Sequence, residues 1–159
     1  MAFLPTTPGL SFYSIPLAWI LSLVPHVFAV KTYEAASSRK FDNTQPRSLT
    51  NTVASDQSLS KATKDTIIRA EGAQQNGFEN LGIFAAGVVA GNAAGLDAGY
   101  LNALSMAYIA SRVVYNLVYI NNTTLAVANV RSVVYVGSSA LIFTMYVSAG
   151  LKMREVAGG

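Results

Sequence analysis

The sequence predicts an all-α integral membrane protein in which four transmembrane helices form one domain over residues 1–159. Three observations lead to this prediction: 52% of the residues are hydrophobic, only 12% are charged, and the apolar residues fall into separate blocks. A typical soluble domain has about 25% charged residues. The net charge of +3 does not indicate nucleic acid as a partner, because the basic residues lie in predicted loops and at predicted helix ends. The chain has no cysteine, which excludes disulfides, thiolate nucleophiles and Cys-ligated metals.

The first predicted helix covers about residues 12–30, an apolar run long enough to cross about 30 Å of hydrocarbon. A cleaved signal peptide is the alternative, but it needs a basic region ahead of the apolar run, and the first charge here is Lys31. We therefore expect a retained helix that Pro16 and Pro25 bend or bound. His26 has no second histidine near it, so we expect a packed residue and no metal site.

Residues 31–60 are polar and rich in Ser, Thr, Asn and Gln, a composition typical of a long flexible loop. Basic residues outnumber acidic ones in and around this segment, and the positive-inside rule therefore places it in the cytosol. The basic residues are Lys31, Arg39, Lys40, Arg47, Lys61 and Lys64. A long cytosolic loop of this kind favours the endoplasmic reticulum as the host membrane.

The second predicted helix covers about residues 60–91, with Ser60 as its N-cap. At 1.5 Å per residue it is about 45 Å long, so its first turns should project into the cytosol. Gly82, Ala86 and Ala90 recur every four residues in its apolar half. Small residues at this spacing let helices approach closely in lipid, so we expect this helix at the centre of the bundle, reaching a subunit interface.

The third and fourth helices are predicted over about residues 100–120 and 131–151. A short lumenal turn precedes the third helix, and a return loop over residues 121–129 separates the two. Four crossings would place both termini on the same side of the membrane.

Three of the predicted helices place polar side chains at the same membrane face. Ionisable groups cost about 2.5–3.5 kcal/mol each near mid-bilayer, so they normally face a protein interior or a wet cavity. Individual arginines could instead extend to lipid headgroups, but an amide and a carboxylate on shorter stems do not fit that explanation. We predict one shared site made of Arg69, Asn76 and Glu79 in the second helix, Arg112, Tyr115 and Tyr119 in the third, and Arg131 and Ser132 in the fourth.

Guanidinium groups beside a carboxylate and an amide suit a small zwitterionic ligand that carries carboxylates and an amine. The arginines would pair with the ligand's carboxylates, and Glu79 would accept its ammonium or orient an arginine. Lipid-facing clefts between the helices leave room for an apolar co-substrate.

These residues resemble the MAPEG family, the membrane-associated proteins in eicosanoid and glutathione metabolism, which includes microsomal glutathione transferases, leukotriene C synthase and microsomal prostaglandin E synthase. The resemblance covers about residues 67–151 and rests on Asn76-x-x-Glu79, Arg112-x-x-Tyr115-x-x-x-Tyr119 and Arg131-Ser132. It implies a homotrimer that holds glutathione between neighbouring subunits near the cytosolic face. It also implies that Arg69, Asn76, Glu79, Arg112, Tyr115 and Tyr119 contact the tripeptide, and that Arg131 and Ser132 lie nearest its sulfur.

The resemblance implies a glutathione-dependent transferase or peroxidase that acts on lipophilic electrophiles or lipid hydroperoxides. A free thiol with a pKa of about 8.5 is only a few per cent ionised at neutral pH. An arginine and a hydroxyl that lower this pKa by about two units contribute about 2.7 kcal/mol. Two alternatives stay open: isomerisation or cyclisation of an apolar metabolite, and a non-catalytic membrane scaffold. Relatives usually carry an arginine four residues before the motif asparagine, where this chain has Gly72, and that departure fits a weaker dependence on glutathione.

Overall fold

The computed structural model describes residues 6–158, in which all regular structure is helical. Residues 1–5 and 159 of the predicted domain lie outside the described part. The helices are α1 (Ser14–Ser37), the short α2 (Leu49–Ser55), α3 (Lys61–Ala93), α4 (Ala98–Ile120) and α5 (Leu125–Gly158). Single 3-10 turns precede α1 (Leu10–Tyr13) and α2 (Pro46–Ser48).

Three of the four long helices are long and apolar enough to cross a membrane: α1 with its preceding turn, α4 and α5. The prediction of an all-helical membrane protein agrees with this finding. Helix α3 is not one of the three, because polar residues such as Asn76, Glu79 and Asn80 interrupt its apolar half. That α3 makes a fourth crossing therefore stays a prediction.

The prediction of a flexible loop over residues 31–60 is wrong for much of that segment. Helix α1 continues to Ser37, and the remainder contains a 3-10 turn and α2. Leu49, Val53 and Leu59 of this segment are buried in a hydrophobic cluster with residues of α1 and α3. The polar composition concealed this packing, because three apolar side chains are enough to anchor a short segment against two helices.

The beginning of α5 also differs from the prediction. The predicted return loop over residues 121–129 is reduced to a tight turn, and α5 begins at Leu125. The Thr124 hydroxyl accepts the backbone N–H of Val127 at 3.3 Å, as an N-cap does. Arg131 and Ser132 therefore lie in the second turn of α5 and do not open the helix.

The packing of α1 against α3 fixes the arrangement of the bundle. A Cβ added to Gly77 in α3 would lie 2.7 Å from Ser22 Oγ and 3.0 Å from the backbone Cα of Ser22 in α1, so only glycine fits there. Two turns further along α3, Phe84 stacks on Tyr108 of α4 with ring centroids 4.0 Å apart. Helices α3, α4 and α5 leave a gap between them that is lined by most of the polar residues of the predicted site.

Candidate functional site

Helices α3, α4 and α5 line an open cavity of about 380 Å³. Helix α3 contributes Gly72, Gln75, Asn76 and Glu79, and α4 contributes Tyr115 and Tyr119; α5 contributes Arg131, Ser132, Tyr135 and Val136. On each helix these residues are separated by one, three or four positions, a spacing that keeps them on one face. The structure thus brings six of the eight predicted site residues to a single cavity.

Arg112 lies behind the wall of this cavity and is only 3% exposed. Its Nη2 donates to Asn76 Oδ1 at 3.0 Å, and its guanidinium carbon lies 4.3 Å from the centroid of the Tyr115 ring. Its Nη1 is buried and has no hydrogen-bond partner, and within residues 6–158 no carboxylate forms an ion pair with it. A buried cation without a counter-ion is costly, so this arrangement is typical of a site completed by an anion.

Asn76 links this buried arginine to the cavity. Its side-chain oxygen accepts from Arg112, and this bond assigns the oxygen and nitrogen of the amide. The Nδ2 of Asn76 has no acceptor among the described residues and lies on a residue that lines the cavity. It is therefore a donor available to a ligand.

Arg131 supplies a second positive charge, at the edge of the cavity. Its guanidinium carbon lies 4.9 Å from the centroid of the Tyr119 ring, and no described carboxylate forms an ion pair with it. The Ser132 hydroxyl donates to the carbonyl of Ala128 at 3.1 Å. Ser132 must therefore rotate its hydroxyl before it can donate to a group in the cavity.

Glu79 provides the negative charge of the cavity and lies on α3. Gln75 Nε2 donates to Glu79 Oε1 at 3.2 Å, and both side chains are exposed. Glu79 forms no ion pair with a basic residue in the part of the chain that the structure describes. The Glu79 carboxylate therefore does not neutralise Arg112 or Arg131. The site keeps charges of both signs, which suits a ligand that also carries both.

Arg69 lies outside the cavity. Its Nε donates to the carbonyl of Ile120 at 2.9 Å and its Nη2 donates to Thr66 Oγ1 at 3.0 Å. The first of these bonds satisfies a carbonyl at the end of α4, which has no intrahelical partner. The position of Arg69 therefore indicates that it joins α3 to the end of α4, and its predicted contact with a ligand stays a prediction.

The structure explains why position 72 is a glycine in this chain. A Cβ at this position would lie 2.8 Å from the Tyr119 hydroxyl oxygen and 3.2 Å from its ring carbon Cζ. Tyr119 thus occupies the space in which a larger side chain at position 72 would begin. An arginine here would require Tyr119 to move.

Four residues of the cavity were missed by the sequence reasoning as site residues. Tyr135 lies one helical turn after Arg131, with its ring centroid 6.2 Å from that of Tyr115, and Gln75 lies one turn before Glu79. Helical spacing from the predicted residues would have found both. Outside the cavity, His26 Nδ1 and Glu71 Oε1 are 2.7 Å apart between α1 and α3, a contact that the sequence reasoning did not predict. The remaining cavity residues are Gly72 and Val136.

Comparison with known proteins gives one finding. The family model described as the MAPEG family matches residues 12–151, nearly the whole chain. Comparison with curated proteins and with solved structures finds no match.

Proposed function

The chain belongs to the MAPEG family, and from that premise we propose that it is a glutathione-dependent membrane transferase or peroxidase for lipophilic electrophiles or lipid hydroperoxides. Membership supports an integral membrane protein of a glutathione-related enzyme family. The observation that carries the finer proposal is Arg112, a buried guanidinium with one unpaired nitrogen and no counter-ion in the described part of the chain.

The residues of the cavity match the groups of glutathione, which has two carboxylates, one ammonium and a thiol. Asn76 Nδ2 is a donor at the cavity without a protein acceptor among the described residues, and Arg112 lies behind it and donates to Asn76 Oδ1, so the amide and the positive charge behind it together suit a carboxylate. Glu79 lies on the same face of α3 and suits the ammonium. The volume of about 380 Å³ falls within the range of about 300–1,000 Å³ that is usual for small-molecule sites.

Glutathione would supply the nucleophilic sulfur, and the residues of this chain would hold it and favour its ionised form. Arg131 places a cation at the cavity, and Ser132 offers a hydroxyl beside it. A cation near a thiol stabilises the thiolate and lowers the thiol pKa. We therefore assign Arg131 to thiolate stabilisation and Ser132 to hydrogen bonding of the sulfur once its hydroxyl leaves the carbonyl of Ala128.

We also propose that the protein is a homotrimer in the endoplasmic reticulum, with its cavities near the cytosolic face and closed by neighbouring subunits. Two observations support this assembly. The cavity is open at one side in the single chain, and α5 next to it exposes large apolar residues such as Val133 (72%) and Val136 (65%). Helix α3 also presents exposed Gly82 and Ala86, where a second helix could approach closely.

A glutathione-independent isomerase is the second candidate. One observation favours it: the position where relatives usually carry an arginine is Gly72, and Tyr119 occupies the adjacent space. This candidate predicts that the purified protein folds and assembles but does not bind glutathione. The same outcome would be expected of a non-catalytic scaffold, and turnover of apolar metabolites would then separate the two.

The test is glutathione binding to the purified full chain, measured by calorimetry. Wild type should bind saturably, and Arg112→Lys should weaken binding at least about tenfold, because lysine lacks the forked donors of arginine. Arg154→Lys is the matched control, since Arg154 is exposed near the end of α5 and far along the chain from the cavity. Absence of binding to folded wild type, or equal binding by Arg112→Lys, would contradict the proposal.

A further inference from the structure

Pro25 interrupts the backbone hydrogen bonds of α1, and Asn116 of α4 compensates for this interruption. Proline has no backbone N–H, so the carbonyl of Leu21, four residues earlier, lacks its intrahelical donor. Asn116 replaces this donor, because its Nδ2 donates to the Leu21 carbonyl at 2.9 Å. The bond also fixes the orientation of the amide, since the nitrogen must face the carbonyl. The side-chain oxygen of Asn116 is therefore left for another partner.

Asn116 Oδ1 and Arg112 Nη1 are complementary atoms that both lack a partner. Both residues are buried, and these are the only two buried side-chain nitrogen or oxygen atoms without a hydrogen bond among the described residues. One atom is an acceptor and the other is a donor. The two residues are four positions apart in α4, so they lie on one face of the helix with Cβ atoms about 5–6 Å apart.

The two side chains also converge on the point where α1 and α3 are in close contact. One donates to the carbonyl of Leu21 in α1, and the other donates to Asn76 in α3. The next residues along the chain are Ser22 and Gly77, where a Cβ added to the glycine would lie 3.0 Å from the Cα of the serine. The bonds of both side chains are thus anchored at the same helix crossing.

We propose that Asn116 positions Arg112 through one buried water, which accepts a hydrogen bond from Arg112 Nη1 and donates one to Asn116 Oδ1. No direct hydrogen bond joins the two atoms, and a bridging water satisfies both of them at once. Buried waters in proteins typically bond to groups that otherwise have no partner. The amide of Asn116 is neutral, so the positive charge of Arg112 stays available to an anion in the cavity.

This bridge connects the proline position of α1 to the ligand cavity. It runs from the Leu21 carbonyl through Asn116 and the water to Arg112, and from Arg112 Nη2 to Asn76 Oδ1. With Nη1 held in place, Nη2 stays directed at Asn76, and the Nδ2 of that amide stays available as a donor at the cavity. An effect of Asn116 on glutathione affinity follows, and this step rests on the function proposed above.

The first experiment tests the water contact without glutathione, by solid-state NMR of the full chain in lipid bilayers with isotope-labelled arginine. Transfer from water should give a cross-peak at the Arg112 guanidinium, which is identified by its absence in Arg112→Lys. Asn116→Leu is combined with Pro25→Ala, which restores a backbone donor for the Leu21 carbonyl. This double variant should lose most of the cross-peak, and Pro25→Ala alone, the control, should keep it. A missing cross-peak in wild type, or an unchanged one in the double variant, would overturn the proposal.

The second experiment measures glutathione binding to the same variants by calorimetry, with thermal unfolding to show that each is folded. The double variant should bind about threefold to tenfold more weakly than Pro25→Ala, because Arg112 is no longer held against Asn76. In an Arg112→Lys background the same pair of changes should weaken binding by less than about twofold, since lysine has no Nη1.

Equal affinity of the double variant and Pro25→Ala would overturn the positioning role. Absence of glutathione binding to folded wild type would overturn the proposed function and the positioning role with it. The water contact between Arg112 and Asn116 is judged by the first experiment in either case, so the two failures are distinguishable.

Discussion

Arg112 and Arg131 carry the same charge but have different surroundings, and this difference separates their expected roles. Arg112 is buried, bonded to Asn76 and close to the Tyr115 ring, whereas Arg131 is half-buried and lies against the Tyr119 ring. The sequence predicted both as site residues, because both lie on helices that carry other polar groups. It could not show that Arg112 stands behind the cavity wall, because helical spacing gives the face of a helix but not the depth of a side chain.

The proposed role of Arg131 predicts a change in thiol ionisation. Replacement of Arg131 by Ala should leave glutathione affinity within about threefold of wild type and should abolish most of the thiolate absorbance that appears when glutathione is mixed with the protein at neutral pH. The reason is that loss of a nearby cation returns the pKa of the bound thiol towards about 8.5. Arg131→Lys should keep part of the signal, and full thiolate absorbance in Arg131→Ala would contradict the assignment.

Gly72 gives a second prediction at this scale. Gly72→Ala adds a methyl group 2.8 Å from the Tyr119 hydroxyl oxygen, so the tyrosine must shift within the cavity. We expect glutathione affinity to fall about threefold or more, while thermal stability stays the same or rises, because alanine favours helix by up to about 1 kcal/mol relative to glycine. Gly137→Ala is the control: no atom lies within 4 Å of its added Cβ, and binding should not change. Unchanged affinity in Gly72→Ala would show that Tyr119 does not shape the ligand site.

Among the helices, those with strong local signals were predictable and those that depend on neighbours were not. Ser60 accepts the N–H of Thr63 at 3.1 Å and caps α3 as predicted. The short helix α2 has only one apolar pair at helical spacing, Leu49 and Val53, and it exists because both are buried against α1 and α3. The early start of α5 at Leu125 was missed because its first turns carry few signals beyond Thr124.

The close approach of α1 to α3 predicts a large stability effect at Gly77. Gly77→Ala would place a Cβ 3.0 Å from the backbone of Ser22, which cannot rotate away, so α1 and α3 must separate. We expect a loss of about 1–3 kcal/mol in the free energy of unfolding, as for other overpacked cores, measured by thermal or denaturant unfolding in detergent. Gly87→Ala on the same helix is the control, since its Cβ would meet Met145 Sδ at an ordinary 3.5 Å. Equal stability of the two variants would contradict this account.

The connection between α2 and α3 predicts a pH dependence. Asp56 accepts from the Ser58 hydroxyl at 2.6 Å, from the Ser58 N–H at 2.9 Å and from Arg39 Nη1 at 3.2 Å. The bonds from Ser58, with a smaller effect of the Arg39 charge, lower the pKa of Asp56 below its usual value of 3.8. Because the pKa of Asp56 is lower in the folded state than in the unfolded state, its ionised carboxylate stabilises the folded state at pH values above the unfolded pKa. This stabilisation is lost as the pH falls through the folded pKa.

We therefore expect amide hydrogen exchange in α2 to quicken when the pH falls below about 3.8 towards the folded pKa of Asp56. Asp56→Asn should exchange faster than wild type at neutral pH and should lack this added acceleration, once the intrinsic pH dependence of exchange has been removed. Asp42→Asn is the control, because the side chain of Asp42 accepts from Thr44, two residues later, and not from Arg39. Identical profiles for wild type and Asp56→Asn would exclude this role.

For the whole molecule, the family match supports a membrane protein, while the assembly depends on surfaces that one chain leaves uncovered. Helix α5 exposes apolar side chains along most of its length, and α3 exposes Gly82 and Ala86. The sequence predicted that α3 approaches another helix closely, because glycine and alanine recur every four residues in it. It could not show which of these residues pack inside the chain: Gly91 lies against Leu101, whereas no atom lies within 4 Å of a Cβ added to Gly82.

This difference predicts that Gly82→Leu weakens the proposed trimer without unfolding the subunit. A leucine at this position meets no atom of its own chain at Cβ but would separate helices that approach there in an assembly. Native mass spectrometry or analytical ultracentrifugation in detergent should show smaller species for this variant. Gly158→Leu, also open at Cβ and located at the last residue of α5, should stay as large as wild type. A Gly82→Leu protein as trimeric as wild type would place the interface on another face.

The polar character of α3 has a consequence for biosynthesis. During synthesis, each segment enters the bilayer according to its own hydrophobicity. Helix α3 is too polar to insert readily by itself, whereas α1, α4 and α5 are apolar enough. Its polar groups become acceptable in lipid once they are covered by partners that precede or follow it, such as His26, which contacts Glu71 at 2.7 Å. If α3 makes the predicted fourth crossing, it should enter the membrane only together with α1, so that the pair begins to pack before α4 and α5 have been synthesised.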